Sequence, residues 1–432
     1  MKILKTIDLS KPKDNDLQDV FFLYILFNKL FYCRCNRMKN LYTIISDKKE
    51  NISHIANAGI TAAVIIFLYY DEQVHEYNRY IQNIPEGIDI YIISPKESIL
   101  QEFRSSRYIK VKKENRGRDI SALLVCAEPF IFKYDYVCFI HDKKEKCCND
   151  EDYIKLWKKN LWSNMLESKH YITNILESFQ NDKTLGMYVP FPPHKGDKGA
   201  WINGTWGKNY SNTHKLADLL NLHVNISEDE PPIALSTVFW ARTCALKKLY
   251  GIKWKYKDFP DEPIRDDGEI NHAVERIFQY VVQDAGYEVK VAISSSFAAE
   301  FFQQLQGELS YLWTSLNDNL GIRDYSDIKN YKERLEKIRD FKRINNQIYL
   351  YGAGTRCRDC LKICKVLNIN PQGIVVSDGN GNIENVEGIP VITVERFEQS
   401  PSRGIIVAVV EKYQEEIIAT LEKNKINNYI LF

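Results

Sequence analysis

The sequence predicts an α/β fold, in which a mostly parallel sheet is followed by a smaller Rossmann-like α/β domain. Apolar runs alternate with amphipathic stretches from residue 60 onward, starting with AAVIIFLYY at 62–70 and IDIYIISP at 88–95. Strands that alternate with helices indicate a parallel sheet with helices on both faces. A second series of this kind starts with QIYLYGAG at 347–354 and reaches GIIVAVV at 404–410. Two α/β units in one chain are therefore expected.

The composition excludes some classes of function. The 432 residues are 44% hydrophobic and 27% charged, with a net charge of +1, which is ordinary for a globular protein. General nucleic-acid binders carry a clear basic excess, so we expect no nucleic-acid partner. The ten cysteines are scattered, and MKILKTIDLSKPKDND at the N-terminus lacks the apolar core of a signal peptide. These features predict reduced thiols and a cytoplasmic location.

Changes in the pattern divide the chain into three parts. We predict a first domain at 1–306 with an N-terminal helical extension at 1–58, a charged helical linker at 307–345, and the Rossmann-like domain at 346–432. The run VFFLYILFNKLFYC at 20–33 is too short to span a membrane. Its apolar residues recur at helical spacing and basic residues follow. This predicts either a helix packed on the core or a peripheral contact with the inner face of the cell membrane.

A polar loop, KENRGRD at 113–119, joins a short strand to a helix. Arg116 and Arg118 flank Gly117, and Asp119 is expected to cap the start of the helix. Two guanidinium groups and free helix N–H groups suit a diphosphate, whose oxygens accept paired hydrogen bonds. The alternative is a solvated turn that Asp119 caps.

The next strand ends on four ionisable side chains, His141, Asp142, Lys143 and Lys144. Ligands of open α/β sheets bind beyond the carboxyl ends of the strands. Many nucleotide-sugar enzymes hold a divalent cation there with an acidic pair. A lysine ammonium can neutralise a departing diphosphate instead. We therefore expect no metal requirement, and Asp142 is the expected ligand if a metal binds.

Four blocks together resemble a known family. KENRGRDISALL, YDYVCFIHDKKE, TVFWARTCALKKL and DDGEINHAVERI are similar, in this order and spacing, to the signature blocks of the rhamnan synthesis protein F family. Its members are regarded as glycosyltransferases of bacterial cell-surface polysaccharides. The resemblance covers roughly residues 60–300.

The resemblance implies a GT-A-like glycosyltransferase domain that moves a sugar, rhamnose or another hexose, from a nucleotide-sugar donor to a growing cell-surface polysaccharide with inversion. A lipid-linked or polymeric glycan is the implied acceptor, and other polysaccharide-assembly enzymes are the implied partners. The alternatives are a non-catalytic assembly protein that binds sugar nucleotides and an oxidoreductase run by the C-terminal domain. On this basis the donor-binding residues are Asn115, Arg116, Gly117, Arg118, Asp119, His141, Asp142, Lys143 and Lys144.

The third block supplies candidate acceptor contacts. The indole of Trp240 can stack on a sugar ring, and the guanidinium of Arg242 can hold a hydroxyl or a phosphate. Core packing at a strand end explains Trp240 equally well.

The fourth block and the segment before it are rich in carboxylates. Inverting transfer needs one carboxylate to take the proton of the acceptor hydroxyl. By analogy with related folds, Asp267 just before the helix is the first candidate, and Glu262 is the second. A charge run of this kind is also typical of a solvated loop, and Arg276 can simply pair with a carboxylate. The predicted catalytic residues are Asp267, Glu262, Glu275 and His272, of which the last two share a helix face, and Arg276 is a predicted acceptor contact.

The segment YGAGTRC opens the C-terminal domain. Gly352 and Gly354 are similar to the first two glycines of the dinucleotide fingerprint, and Asp378 ends the next strand, where an acid would bind the ribose. Cys357 replaces the third glycine, so we expect no NAD binding. Cys360 and Cys364 follow at helical spacing. The three cysteines favour a buried helix face over a metal site, because no fourth ligand is in view.

Overall fold

A computed structural model describes residues 41–48, 59–144, 151–191, 206–265, 267–377 and 383–432, with side chains except at 151–154 and 325. The amphipathic run at 20–33, with its two alternative predictions, lies outside these residues. The chain divides into two compact units, of which one spans Met38–Gln304 and the other includes Leu305–Phe432. Within the described ranges, no helix has the length and apolar character that a membrane crossing requires.

The first unit is built on an eight-stranded sheet in the order β1-β8-β6-β7-β5-β2-β3-β4. Strand β7 runs antiparallel to both of its neighbours, and all other pairs are parallel. The predicted α/β class with a mostly parallel sheet is therefore confirmed. The strands are β1 (Tyr42–Ile45), β2 (Ala62–Phe67), β3 (Asp89–Ser94), β4 (Tyr108–Lys112), β5 (Tyr136–His141), β6 (Leu185–Pro190), β7 (Phe239–Arg242) and β8 (Glu288–Ser294).

Helices cover both faces of this sheet. Successive residues of β2 enter two separate core clusters, Ile65 and Phe67 in one and Val64 and Ile66 in the other. Side chains alternate along a strand, so the two clusters lie on opposite faces, which explains the unbroken apolar run of β2. The helices are α1 (Val74–Ile81), α2 (Glu97–Glu102), α3 (Arg118–Ser121), α4 (Glu151–Leu166), α5 (Lys169–Asn181), α6 (Tyr210–Leu219), α7 (Lys247–Tyr250), α8 (Ile270–Asp284) and α9 (Ser295–Leu320), and α9 belongs to the second unit from Leu305 onward.

The carboxyl ends of neighbouring strands meet at one edge of the sheet. Phe67 of β2 is in register with His141 of β5, and the N–H of Asp142 donates to the carbonyl of Phe67 at 3.1 Å. The N–H of Lys113, just after β4, donates to the carbonyl of Ser94 at the end of β3 at 3.2 Å. The loops that follow β2, β4 and β5 therefore emerge side by side, which is where parallel sheets bind ligands.

The second unit has its own six-stranded sheet in the order β11-β12-β10-β9-β13-β14. All pairs are parallel except the one between β11 and β12. Strand order reverses beside β9, as in doubly wound folds, so the smaller Rossmann-like α/β domain is also confirmed. Its elements are β9 (Gln347–Tyr351), β10 (Gly373–Val376), β11 (Asn385–Val386), β12 (Ile389–Thr393), β13 (Arg403–Val407), β14 (Tyr429–Leu431), α10 (Tyr325–Ile344), α11 (Thr355–Val366) and α12 (Gln414–Lys423).

The segment that the sequence predicts as a linker is helical and also packs against the strands of the second unit. Tyr331, Leu335, Ile338 and Phe341 of α10 are buried in one cluster with Ile348 of β9. Helix α10 is therefore part of the core of the second unit, because its apolar face packs against the strands that follow it.

Candidate functional site

The loop at 113–119, here called the arginine loop, has an unusual backbone at its centre. Gly117 has a φ of +73° and Arg118 a φ of +46°. A Cβ on Gly117 would lie 2.8 Å from atoms of both Phe259 and Ser121, so the close approach of the chain also requires glycine. Helix α3 begins at Arg118 with Gly117 as its N-cap. The prediction that Asp119 caps this helix is wrong, because the N-cap is Gly117, two residues earlier, and Asp119 lies in the first turn.

The acidic segment before α8 packs on the arginine loop. Arg116 donates from Nε to the carbonyl of Phe259 at 2.7 Å and pairs with Asp261 at 2.8 Å. Arg118 donates from Nε and Nη2 to the two carboxylate oxygens of Glu262 at 3.2 and 3.3 Å. The structure therefore brings predicted donor-side arginines together with a predicted catalytic carboxylate. Asn115 is exposed beside them.

His141 connects the end of β5 with the arginine loop. Its ring is buried, with Nδ1 2.6 Å from the carbonyl of Asp142 and Nε2 2.8 Å from the carbonyl of Ser236. The same Nε2 lies 3.8 Å from a carboxylate oxygen of Asp119. Asp119 therefore faces His141 across the site, and the two predicted donor-site blocks are adjacent.

Asp142 is 4% exposed, and its two carboxylate oxygens have different surroundings. Oδ2 accepts from the backbone N–H groups of Tyr69 at 2.6 Å and Tyr70 at 2.7 Å. Oδ1 is buried and has no hydrogen-bond partner among the described residues. Burial raises the pKa of Asp142 to about 6, although the two N–H donors oppose the shift. A buried acceptor without a partner is typical of a position that a ligand completes.

The two lysines that follow point to different neighbours. The Lys143 ammonium lies 3.6 Å from the centroid of the Trp157 ring, a cation–π contact. Lys144 is exposed and pairs with Glu72 at 2.7 Å. Across the described ranges, no group of three or more His, Cys, Asp or Glu side chains is arranged to hold a metal ion. The expectation that the protein requires no metal ion stays a prediction.

Sequence reasoning missed Lys113, which is 5% exposed at the start of the arginine loop. Its ammonium donates to the carbonyls of Glu114 at 2.6 Å and Arg116 at 3.2 Å. A signal was available, because Lys110 and Lys112 alternate along β4. Side chains alternate between the two faces of a strand, so Lys113, which directly follows Lys112, belongs to the face opposite that of Lys110 and Lys112.

Two predicted acceptor residues are structural. Trp240 is completely buried and its indole N–H donates to the carbonyl of Met165 at 3.0 Å, so it cannot stack on a sugar. Arg242 donates to the carbonyls of Leu185 at 2.7 Å and Asp182 at 3.1 Å. It pairs in register with Tyr136 at the first residue of β5. Because β7 is antiparallel, Arg242 lies at the edge opposite the arginine loop, and both acceptor predictions are wrong.

Asp267 acts as a clamp between the starts of two helices. One carboxylate oxygen accepts from the N–H of Lys208 at 2.8 Å and the other from the amide of Asn209, which precedes α6. Burial raises the pKa of Asp267, but these donors outweigh burial and lower the pKa below its ordinary value. A carboxylate held in this way is a weak proton acceptor.

The remaining predicted residues lie at the first turns of α8. His272 accepts at Nδ1 from the N–H of Glu269 at 3.3 Å, and Arg276 lies 3.1 Å from the carboxylate of Glu275. Asn271 donates to the carbonyl of Gly117 at 3.0 Å. The start of α8 therefore touches the arginine loop, while Arg276 forms the ion pair that was its alternative explanation.

The C-terminal domain retains part of the dinucleotide fingerprint. A Cβ on Gly352, whose φ is +103°, would meet Val409 at 2.7 Å, whereas Gly354 precedes α11 and faces open space. Asp378 lies outside the described residues. Cys357, Cys360 and Cys364 are buried, as expected for a helix face in the core. Burial raises the pKa of Cys357 to about 12, which keeps it a thiol.

Comparisons with known proteins agree with the resemblance of the four blocks. The family model for rhamnan synthesis protein F matches residues 28–287. Two proteins called uncharacterized protein WxcX, from two strains of Xanthomonas campestris pv. campestris, are 28% identical over 182 residues. These alignments cover 41% of this chain and 24% of each relative, so the match spans about a quarter of the relatives' length.

One similar solved structure is that of CMP:2-keto-3-deoxy-manno-octonic acid synthetase complexed with CTP. It has 12% sequence identity to this chain and a TM-score of 0.25, and the alignment covers 57% of this chain and 99% of that chain.

The match to the family model contains all four blocks and spans more than half of the sequence. The chain therefore belongs to the rhamnan synthesis protein F family.

Proposed function

We propose that the chain is a glycosyltransferase that moves a sugar from a nucleotide-sugar donor to a growing cell-surface polysaccharide. Its family, by name, serves the synthesis of a polysaccharide. The observation that carries the proposal is the arginine loop, which presents two guanidinium groups at the carboxyl edge of the sheet. Left-handed backbone at a non-glycine residue such as Arg118 costs roughly 1–3 kcal/mol and clusters at ligand sites.

The donor diphosphate would bind to the guanidinium groups of Arg116 and Arg118. Their side chains are 30% and 40% exposed, and each pairs with a carboxylate, Asp261 or Glu262, so a diphosphate would bind by taking the place of these carboxylates. Paired N–H donors of arginine match phosphate oxygens. The unpartnered oxygen of Asp142 would accept a hydrogen bond from a hydroxyl of the donor, and Lys143 would neutralise the nucleoside diphosphate as it leaves.

We propose Glu262, ahead of Asp267, as the base. In an inverting transfer the acceptor oxygen bonds to the anomeric carbon, the bond from that carbon to the phosphate oxygen breaks, and the hydroxyl proton passes to a carboxylate. Glu262 contacts the donor-side Arg118, whereas both oxygens of Asp267 are bound by Lys208 and Asn209. Both oxygens of Glu262 accept as well, from Arg118 and the N–H of Ile264, but a diphosphate that binds Arg118 would release that contact beside the donor. This reverses the order expected from the sequence.

The test is an assay of the purified full chain against nucleotide sugars built on UDP, GDP, CDP and dTDP. We expect one donor to release its nucleoside diphosphate and to raise the melting temperature. Arg118→Met should abolish both effects, whereas Arg104→Met, an exposed arginine before β4, should not. Donor binding without release or transfer would favour the non-catalytic assembly protein, and no binding by any donor would contradict the proposal.

A further inference from the structure

Lys113 is the first residue of the arginine loop and lies beside the ends of two strands. Its backbone N–H bonds to the carbonyl at the end of β3. Its ammonium lies 5.2 Å from the ring centroid of Phe67, the last residue of β2, and 5.8 Å from that of Tyr256. The side chain is therefore enclosed by aromatic rings and is 5% exposed.

The ammonium of Lys113 holds the backbone of the arginine loop directly. It donates to the carbonyls of Glu114 and Arg116, which are the last carbonyls before the left-handed pair at Gly117 and Arg118. The carbonyl of Arg116 also accepts from the hydroxyl of Ser121 in α3. These bonds orient the peptide groups that follow Glu114 and Arg116, directly before the left-handed pair.

We propose that Lys113 is a positioning residue that holds the arginine loop in the conformation that receives a diphosphate. The proposal deepens the proposed function and rests on it for the identity of the ligand. It does not need Lys113 to touch the ligand, because the ammonium is already bonded to two carbonyls and enclosed by two rings.

Burial makes the charge of Lys113 sensitive to pH. Desolvation lowers the pKa of Lys113 to about 8, although neighbouring charges oppose the shift. The folded protein therefore loses this charge as the pH rises through about 8, and a neutral amine is a weaker hydrogen-bond donor to the two carbonyls. The titratable or charged groups that face Lys113 are Cys126, Asp119, Glu262, Glu114 and Tyr256.

The first test follows the loop without any ligand. Lys113→Met in the full chain should speed hydrogen exchange of the amides in residues 114–122 by about tenfold or more, since hydrogen bonds to a charged group are worth that factor. Lys112→Met is the matched control, because Lys112 is the neighbouring lysine on β4 and its side chain is 52% exposed. Equal exchange in wild type and Lys113→Met would overturn the proposal.

The second test measures binding of UDP, GDP, CDP and dTDP by calorimetry at pH 7 and pH 9. Affinity of the wild type for the nucleotide that binds should fall between these values, and Lys113→Met should bind about tenfold more weakly or worse at pH 7 with no further fall at pH 9. Lys113→Arg, which keeps its charge, should bind equally at both pH values.

The two tests separate the positioning role from the proposed function. If none of the four nucleotides binds to the wild type, the proposed function fails, and the exchange of residues 114–122 alone decides the role of Lys113. If a nucleotide binds and Lys113→Met retains the affinity and pH dependence of the wild type, the positioning role is wrong and the proposed function stands.

Discussion

Asp142 concentrates several properties of the site in one side chain. One oxygen ties the backbone of Tyr69 and Tyr70, at the end of β2, to the end of β5. The other oxygen is buried without a partner among the described residues. Because burial raises the pKa of this carboxyl group, the charged form costs free energy in the folded protein. Perturbed groups of this kind are enriched at functional sites.

Asp142→Asn should therefore change stability in a pH-dependent way. The ordinary pKa is 3.8 and the folded value is about 6, so the unfolded chain releases the proton first as pH rises. The free energy of unfolding of the wild type, relative to Asp142→Asn, should fall by about 3 kcal/mol in all as pH rises from below 3.8 to above 6, with about 2 kcal/mol of the fall between pH 4 and pH 6. Urea unfolding at a series of pH values measures it, and a constant difference would show that Asp142 does not titrate in this window.

Lys143→Ala should lower the rate of transfer on the order of 100-fold or more and leave the fold intact, because the departing diphosphate loses a positive charge. The matched control is Lys144→Ala, which removes an exposed ion pair with Glu72 and should leave the rate within about twofold. Turnover numbers with saturating donor provide the measurement. Equal rates in wild type and Lys143→Ala would remove Lys143 from the mechanism.

At the scale of elements, strand direction decided which sequence predictions succeeded. The apolar runs and the loops that end them were readable, because β2, β3 and β5 are parallel and their carboxyl ends meet. The run TVFWART has the same apolar pattern whichever way its strand runs, so it could not reveal that β7 is antiparallel. This direction carries Arg242 to the opposite edge.

Contacts of side chains with distant backbone were also beyond sequence reasoning. Asp267 looked like a base because it precedes a helix, but the donors that occupy it come from Lys208 and Asn209, nearly 60 positions earlier. For Lys113, the spacing of the lysines indicates a change of face, but its burial depends on the rings of Phe67 and Tyr256, which are distant in the sequence.

Asp267→Asn should act on stability, since it weakens the clamp between the starts of α6 and α8. We expect a loss of about 1–2 kcal/mol at pH 7. Because the pKa of Asp267 is lowered, the stabilisation is present above the ordinary value of 3.8 and is lost as pH falls below it. Thermal unfolding of wild type and variant at pH 7 and pH 3 checks both statements. A stable Asp267→Asn variant that has lost its turnover would restore Asp267 as the base.

Glu262→Gln should act on turnover. A general base contributes roughly 100- to 10,000-fold, so the variant should bind the donor and transfer its sugar that much more slowly. The matched control is Asp261→Asn, whose side chain is 85% exposed and pairs with Arg116. It should keep a rate near that of the wild type. If Glu262→Gln transfers sugar at the wild-type rate, the base lies elsewhere, and Glu275 is the next carboxylate to test.

At the scale of the whole molecule, the number and class of the domains were predictable, but one boundary was not. Charged residues dominate 307–345, so the segment looked like a solvated linker. Four apolar side chains at helical spacing on α10 are nevertheless buried with Ile348. A narrow apolar face among many charges is hard to tell from a solvated helix until its partner strand is known.

Because α10 is part of the core of the second unit, we expect truncations after α10 and before it to behave differently. A chain ending at Asn345 keeps α10 without its strands and exposes side chains whose burial is worth roughly 1.5–3 kcal/mol each, so it should aggregate. A chain ending at Gln304 lacks Leu305–Phe432, and with it all the described residues of the second unit, and should stay monodisperse and bind the donor. Light scattering and calorimetry check this. Aggregation or loss of binding in a chain that ends at Gln304 would show that the first unit depends on the second.

The most direct test of the central claim is a crystal structure of the full chain with the nucleoside diphosphate of its donor. We expect phosphate oxygens within hydrogen-bond distance of Arg116 or Arg118 and a donor hydroxyl or base atom at the unpartnered oxygen of Asp142. A nucleotide bound at Gly352 and Gly354 of the C-terminal domain, with the arginine loop still paired to Asp261 and Glu262, would contradict it.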